Sequence, residues 1–261
     1  MLLTLDIGNT AVSWGVFTGA RLRRNGRCRT EAEIATLLAT IPPPEAIVAA
    51  TVAPRRAKRI LAMVRRQTRV IPLVAGRDFS IPIKNLTRFP ERVGHDRLLA
   101  ALAAFACTRT ATIVVDAGTA ITVDYVDARG RFHGGAILPG AAISARALHR
   151  ETEALPLVAV QKPHHAIGRD TREAIQSGLY WGTVGAVAGL IARIKRQVGS
   201  ARILVTGGDG KWLALELGLT RSYIPHLTLE GLRLACEHQM PSEQLHAPLP
   251  QRCRSSRAIS S

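Results

Sequence analysis

Two stretches decide the fold: LLTLDIGNT at residues 2–10 and TIVVDAGT at residues 112–119. Each is a short apolar run that delivers an aspartate, Asp6 or Asp116, to a small or apolar residue, a glycine and a threonine. A second apolar run follows each of them, AVSWGVF at 11–17 and AITVDYV at 120–126. Both units read as β-hairpins in which glycine lets a ligand approach the backbone without a Cβ in the way. The turn amides and the threonine hydroxyl can then donate to phosphate oxygens, while the aspartate can hold a cation directly or through water. One such unit alone is also an ordinary turn. Two of them, a domain's length apart, can face each other across a cleft and clamp a nucleotide polyphosphate.

A third element supports that cleft. RILVTGGDG at 202–210 runs an apolar strand into paired glycines, Gly207 and Gly208, on which a flat ring or ribose can lie. Hairpin, hairpin and Gly-Gly turn together resemble the phosphate and adenosine motifs of the actin-like ATPase and sugar kinase superfamily. The fold expected from that resemblance is α/β, with two related actin-like ATPase (ribonuclease H-like) domains and a nucleotide cleft between them. The expected division is residues 1–110, residues 111–245 and a disordered basic tail at 246–261.

Composition excludes some alternatives. The 261 residues carry 35 Lys+Arg against 19 Asp+Glu, a formal charge of +16, yet 47% of residues are hydrophobic and 21% charged, as in a globular chain. The excess is concentrated: RLRRNGRCR at 21–29 holds five arginines, 55–69 holds seven Lys+Arg and 251–261 holds three arginines. In the middle segment Ala57, Ile60, Leu61 and Val64 recur at helical spacing, so its arginines read as the wet face of an amphipathic helix. Aromatic residues are only 4% of the chain, and the basic segments hold none on which bases could stack, which argues against a nucleic-acid partner. Four scattered cysteines, Cys28, Cys107, Cys236 and Cys253, have no zinc or disulfide spacing and suggest a reducing, cytoplasmic setting. The N-terminal residues do not read as a secretory signal. Residues 174–192 carry no charge, but their glycines at 178, 182, 185 and 189 predict a buried helix packed on neighbouring backbone, in the core or between subunits, rather than a membrane span.

Further motifs sharpen the resemblance. VGHDRLLA at 93–100, GGAILPG at 134–140 and a G-x-x-T-x-x-A-I-x-S-G pattern at 168–178 fall in order among the hairpins. The set is similar to type III pantothenate kinase, and that resemblance implies a set of site residues. ATP with Mg²⁺ is expected on Asp6, Ile7, Gly8, Asn9, Thr10, Ala11, Val12 and Ser13, with Thr119 as a further ATP contact. Asp96 matches the family's catalytic base; Gly94, His95, Asp96, Arg97 and Thr171 match its pantothenate-binding positions. Asp116 matches the ligand of a monovalent cation, K⁺ or NH₄⁺. The reaction implied by the resemblance is phosphorylation of pantothenate to 4'-phosphopantothenate, which opens coenzyme A biosynthesis, by a cytoplasmic homodimer. Two departures stand out: bulky His95 where the family often has a small residue, and Thr87 where it usually has tyrosine. His95 is expected to supply part of the missing aromatic contact. The Asp96–Arg97 pair also reads as a helix N-terminus and Thr171 as the cap of a helix from 172. Competing readings are a superfamily kinase or phosphatase for another small substrate, and a basic regulatory or nucleic-acid-binding protein on the same fold.

Overall fold

The computed structural model describes residues 1–239. Expectations for the 246–261 tail and for Cys253 fall outside the described residues. The chain opens as read: β1 (Leu2–Ile7) turns at Gly8 into β2 (Val12–Thr18), and β3 (Arg21–Cys28) comes next. Helix α1 (Glu31–Thr40) starts at Thr30, whose hydroxyl accepts from the Glu33 amide at 3.2 Å, a standard N-terminal cap. Then come β4 (Ala46–Thr51), α2 (Pro54–Thr68) and β5 (Leu73–Val74). In α2 the residues Ala57, Ile60 and Val64 are buried and the basic residues between them face outward. The first sheet has the order β3-β2-β1-β4-β5, with β1 antiparallel to β2 and parallel to β4.

The second half repeats the plan. After a two-residue strand β6 (Lys84–Asn85) and helix α3 (His95–Thr108) come β7 (Thr112–Ala117), β8 (Ala120–Val126) and β9 (Arg131–Pro139). Helices α4 (Ala141–Arg150) and α5 (Thr171–Val198), strand β10 (Arg202–Thr206), and helices α6 (Gly210–Glu216) and α7 (Leu227–Gln239) complete the described chain. The sheet order is β10-β7-β8-β9-β6, with β7 antiparallel to β8 and parallel to β10. In this sheet β7, β8, β9 and β10 occupy the places that β1, β2, β3 and β4 hold in the first.

Helices cross between the halves. Leu98, Ala101 and Ala104 of α3 pack with Val114, Val126 and Phe132 of the second sheet. Leu229, Leu232 and Ala235 of α7 pack with Leu2, Phe17 and Val48 of the first. The two helices lie against each other between the sheets, and Gly231 permits their approach: a Cβ there would stand 2.1 Å from the Leu99 carbonyl oxygen. Strand β6 likewise joins the second sheet, parallel to β9.

Helix α5 differs from expectation. Its cap is Asp170, which accepts from the Glu173 amide at 2.8 Å, so Thr171 is the first helical residue rather than the cap. Val187 and Ile191 seat it on the second sheet with Ile113, Val115 and Val205. Gly178, Gly182 and Gly185, however, are exposed, and a Cβ at any of them would meet nothing within 4 Å. The predicted close packing of these glycines on neighbouring backbone is therefore not made within the chain. Burial requires a partner surface, and here the apolar demand is met by one face of the helix alone. Among the described residues α5 is the one helix long and apolar enough to cross a membrane, though its inner face is committed to the sheet.

Candidate active site

The two hairpin turns meet. In the first, the Gly8 amide donates to the Ala11 carbonyl at 3.0 Å; in the second, the Gly118 amide donates to the Ala120 carbonyl at 3.0 Å. Across the gap the hydroxyls of Thr10 and Thr119 share a hydrogen bond of 3.0 Å. A cleft of about 560 Å³ opens there, with Asp6, Asp96 and Asp116 all on its walls. Strand register sets the neighbours of each acid. Asp6 stands opposite Ser13, which stands opposite Arg27; Asp116 stands between Thr122 and Thr206. Gly207 and Gly208 form the third wall. Gly207 has φ +93°, and a Cβ on it would stand 2.2 Å from the Ala117 carbonyl oxygen and 2.5 Å from Asp116 Oδ1. Only glycine lets the turn after β10 close onto the second hairpin.

Crowding of the three acids leaves its mark on their protonation. Burial first, then repulsion from Asp96 and Asp116, pushes Asp6 up to about 7, with Arg27 pulling the other way. Burial, then Asp96 and Asp124, pushes Asp116 up to about 7. Asp96 is also raised, by burial above all, and the Arg97 amide, which donates to Asp96 Oδ1 at 2.9 Å, opposes that rise. The cleft thus concentrates negative charge at cost to itself. Such a donor set fits a cation bound along with phosphates, since added positive charge relieves the repulsion. Among the described residues no three His, Cys, Asp or Glu side chains converge into a metal cage, so an ion here would share its ligands with phosphate oxygens and water.

Most of the residues singled out in the sequence come together in the cleft: Asp6, Gly8, Asn9, Thr10, Ala11, Ser13, Asp96, Arg97, Asp116 and Thr119 line it. Ile7 and Val12 lie beneath as fully buried core residues. Gly94 caps α3, so its following turn presents Asp96 and Arg97 at the helix N-terminus. His95 points elsewhere. Its ring lies over Gly76, where a Cβ would stand 2.2 Å from His95 Cε1, in a separate pocket beside α2. Thr87 is tied to Asn85, its hydroxyl donating to Asn85 Oδ1 at 2.9 Å. Thr171 is exposed at the start of α5 and does not line the cleft of its own chain.

Three contributors escaped the sequence reading. Arg27, in the basic run 21–29 that was left without a role, lines the cleft. Arg56, on the wet face of α2, braces the first turn, donating from Nη1 to the Gly8 carbonyl at 2.9 Å and from Nη2 to the Arg29 carbonyl at 2.8 Å. Asp124 grips Arg97 as a fork: Nε donates to Oδ2 at 3.0 Å and Nη2 to Oδ1. Strand alternation carried a signal for two of them. Asp124 lies two residues beyond Thr122, the partner of Asp116, and Arg27 falls in the row of Asp6.

Paired sheets of this topology, with hairpin turns facing across a cleft, define an actin-like ATPase and sugar kinase fold. Solved structures agree at the level of fold. A Campylobacter jejuni protein described as a Baf family transcriptional activator aligns with TM-score 0.58 and 21% identity over 91% of this chain and 98% of its own. The activator of 2-hydroxyisocaproyl-CoA dehydratase from Clostridium difficile, solved with ADPNP bound, aligns with TM-score 0.51 and 11% identity over 100% and 99%. Sequence comparison is narrower. Residues 2–193 match the family model of type III pantothenate kinase. The type III pantothenate kinase of Syntrophotalea carbinolica is 37% identical over 248 residues, covering 90% of this chain and 97% of the relative. That of an Anaeromyxobacter species is 39% identical over 251 residues, covering 91% and 99%. The chain belongs to the type III pantothenate kinase family.

Proposed function

We propose that the protein transfers the γ-phosphoryl group of ATP to the primary hydroxyl of pantothenate, the opening step of coenzyme A biosynthesis. The observation that carries the reading is the convergence of Asp6, Asp96 and Asp116 where the two hairpin turns meet, in a chain of this family. Phosphoryl transfer asks a protein for positioning and charge neutralisation more than for covalent chemistry. The Gly8–Thr10 turn and Thr119 hold the phosphates from the two sides. Asp6 would hold Mg²⁺ together with those phosphates, and Mg²⁺ when bound supplies the neutralising charge. Asp116, flanked by the Thr122 and Thr206 positions, would hold the monovalent cation.

Asp96 is the general base. It accepts the proton of the attacking hydroxyl, and burial makes it a stronger base than a surface carboxylate. Arg97, held by Asp124, fixes the turn that carries Asp96 and faces the developing charge. The protein acts in the cytoplasm, in keeping with the free thiols of Cys28, Cys107 and Cys236. It works as a homodimer through the open glycine face of α5. Because Thr171 lies outside its own cleft, its contact with pantothenate is made in the partner's.

Replacing Asp96 tests the assignment. Asp96→Asn keeps the side chain's shape and is expected to bind nucleotide while losing about 10²–10⁴-fold in turnover. Near-normal turnover in that variant removes Asp96 from the role.

A further inference from the structure

Two arginines line the cleft, and they differ in what holds them. Arg97 is forked onto Asp124, with side chains only 15% and 3% exposed. Arg27 is exposed, and among the described residues its guanidinium makes one hydrogen bond, Nη2 donating to Thr10 Oγ1 at 3.4 Å. Its placement is nonetheless fixed from below. Residues directly opposite in neighbouring strands share a face, and the register sets Asp6, Ser13 and Arg27 in one row across β1, β2 and β3.

From that row the side chain reaches the far wall. Arg27 Nη1 lies 3.1 Å from where a Cβ on Gly208 would stand, so the guanidinium rests against the turn after β10. One end of it therefore meets the first hairpin and the other the Gly207–Gly208 turn of the second half. Its charge is felt on both sides, by Asp6 and by Asp209. A planar fork of N–H donors suits phosphate oxygens, and this one has donors to spare.

We propose that Arg27 is a ligand of the nucleotide's phosphate chain, joining the Thr10 turn to the Gly208 turn across the bound phosphates. The proposal rests on the reading of the cleft as an ATP site. It assigns a binding role to one residue of the basic segment 21–29, the arginine of β3 that lines the cleft.

The rival role for Arg27 is a strut that merely joins the two walls. Binding of a non-hydrolysable ATP analogue, AMP-PNP with Mg²⁺, and of adenosine to the full chain separates the two. Arg27→Met is expected to weaken AMP-PNP about 10- to 100-fold, the loss typical of a hydrogen bond to a charged group, and to leave adenosine within about twofold. Its affinity for AMP-PNP should also depend less steeply on salt. Arg27→Lys, which keeps the charge without the fork, should recover part of the loss. AMP-PNP affinity within twofold of wild type in Arg27→Met overturns the proposal, as does an equal loss for both probes, the mark of a strut. Should Arg27→Met fail to fold, the same comparison is read in Arg27→Gln. A wild-type chain that binds neither probe overturns the ATP-site reading itself, and is told apart by needing no variant.

Discussion

Removing Asp124 should unbalance the molecule at one identifiable point. The Asp124 carboxylate holds Arg97 by two hydrogen bonds, and with side-chain exposures of 3% and 15% neither partner can turn to water. In Asp124→Ala the guanidinium stays buried without its counter-charge. Breaking a buried pair from one side typically costs about 3–5 kcal/mol. With a urea dependence of about 3 kcal/mol per molar, suited to a chain of this size, the midpoint should fall by on the order of 1 M. The perturbation also reaches Asp96, the proposed general base. The charge of Asp124 helps to raise Asp96 and Asp116, and that of Arg97 lowers Asp96. Asp124→Asn, nearly the same shape without the charge, should therefore move the acidic limb of the pH–rate profile to lower pH while turnover falls. Urea unfolding followed by circular dichroism measures the first effect, and a pH series of initial rates the second. A midpoint for Asp124→Ala within the error of wild type would refute the claim that this pair is buried and mutually dependent.

The same geometry sets other outcomes. Asp6 and Asp116 are raised from 3.8 to about 7, so between those values the folded chain binds more protons than the unfolded one. Stability of the ligand-free protein should then fall as pH rises from about 4 to 7 and level off above. Asp6→Asn should flatten that slope and raise the ligand-free melting temperature at pH 8, while abolishing nucleotide binding; thermal scans across pH check both. Gly231→Ala places a methyl 2.1 Å from the Leu99 carbonyl oxygen, and should cost about 1–3 kcal/mol or more by forcing α3 and α7 apart. A melting temperature unchanged in that variant contradicts the described helix contact. Gly182→Leu on the open face of α5 should leave folding intact and disrupt the proposed dimer, read by sedimentation.

Much of the site was legible because its parts are local. A strand, an aspartate and a glycine turn are neighbours in sequence, so the hairpins at Asp6 and Asp116 could be read without any tertiary knowledge. Their meeting through Thr10 and Thr119, 109 positions apart, could be inferred only from the repetition. What the sequence concealed was long-range. The exchange of α3 and α7 between sheets depends on which apolar face finds which sheet, and periodicity reports the face but not its destination. Arg27 and Arg56 sat in charge runs that look alike whether they meet water or a carbonyl; β3 register and the Gly8 carbonyl tell them apart. His95 shows the converse. Its neighbour Asp96 enters the cleft, but successive residues of a helix point about 100° apart, and His95 turns to Gly76 instead.

Movement of phosphate from ATP to pantothenate in this cleft is tested most directly by a coupled assay of ADP release. The purified chain is assayed with and without pantothenate, in K⁺ and in Na⁺. Turnover is expected to require pantothenate, to be stronger in K⁺, and to yield a phosphomonoester of the pantothenate hydroxyl. ATP turnover of equal rate without pantothenate, or none with it, would contradict the assignment.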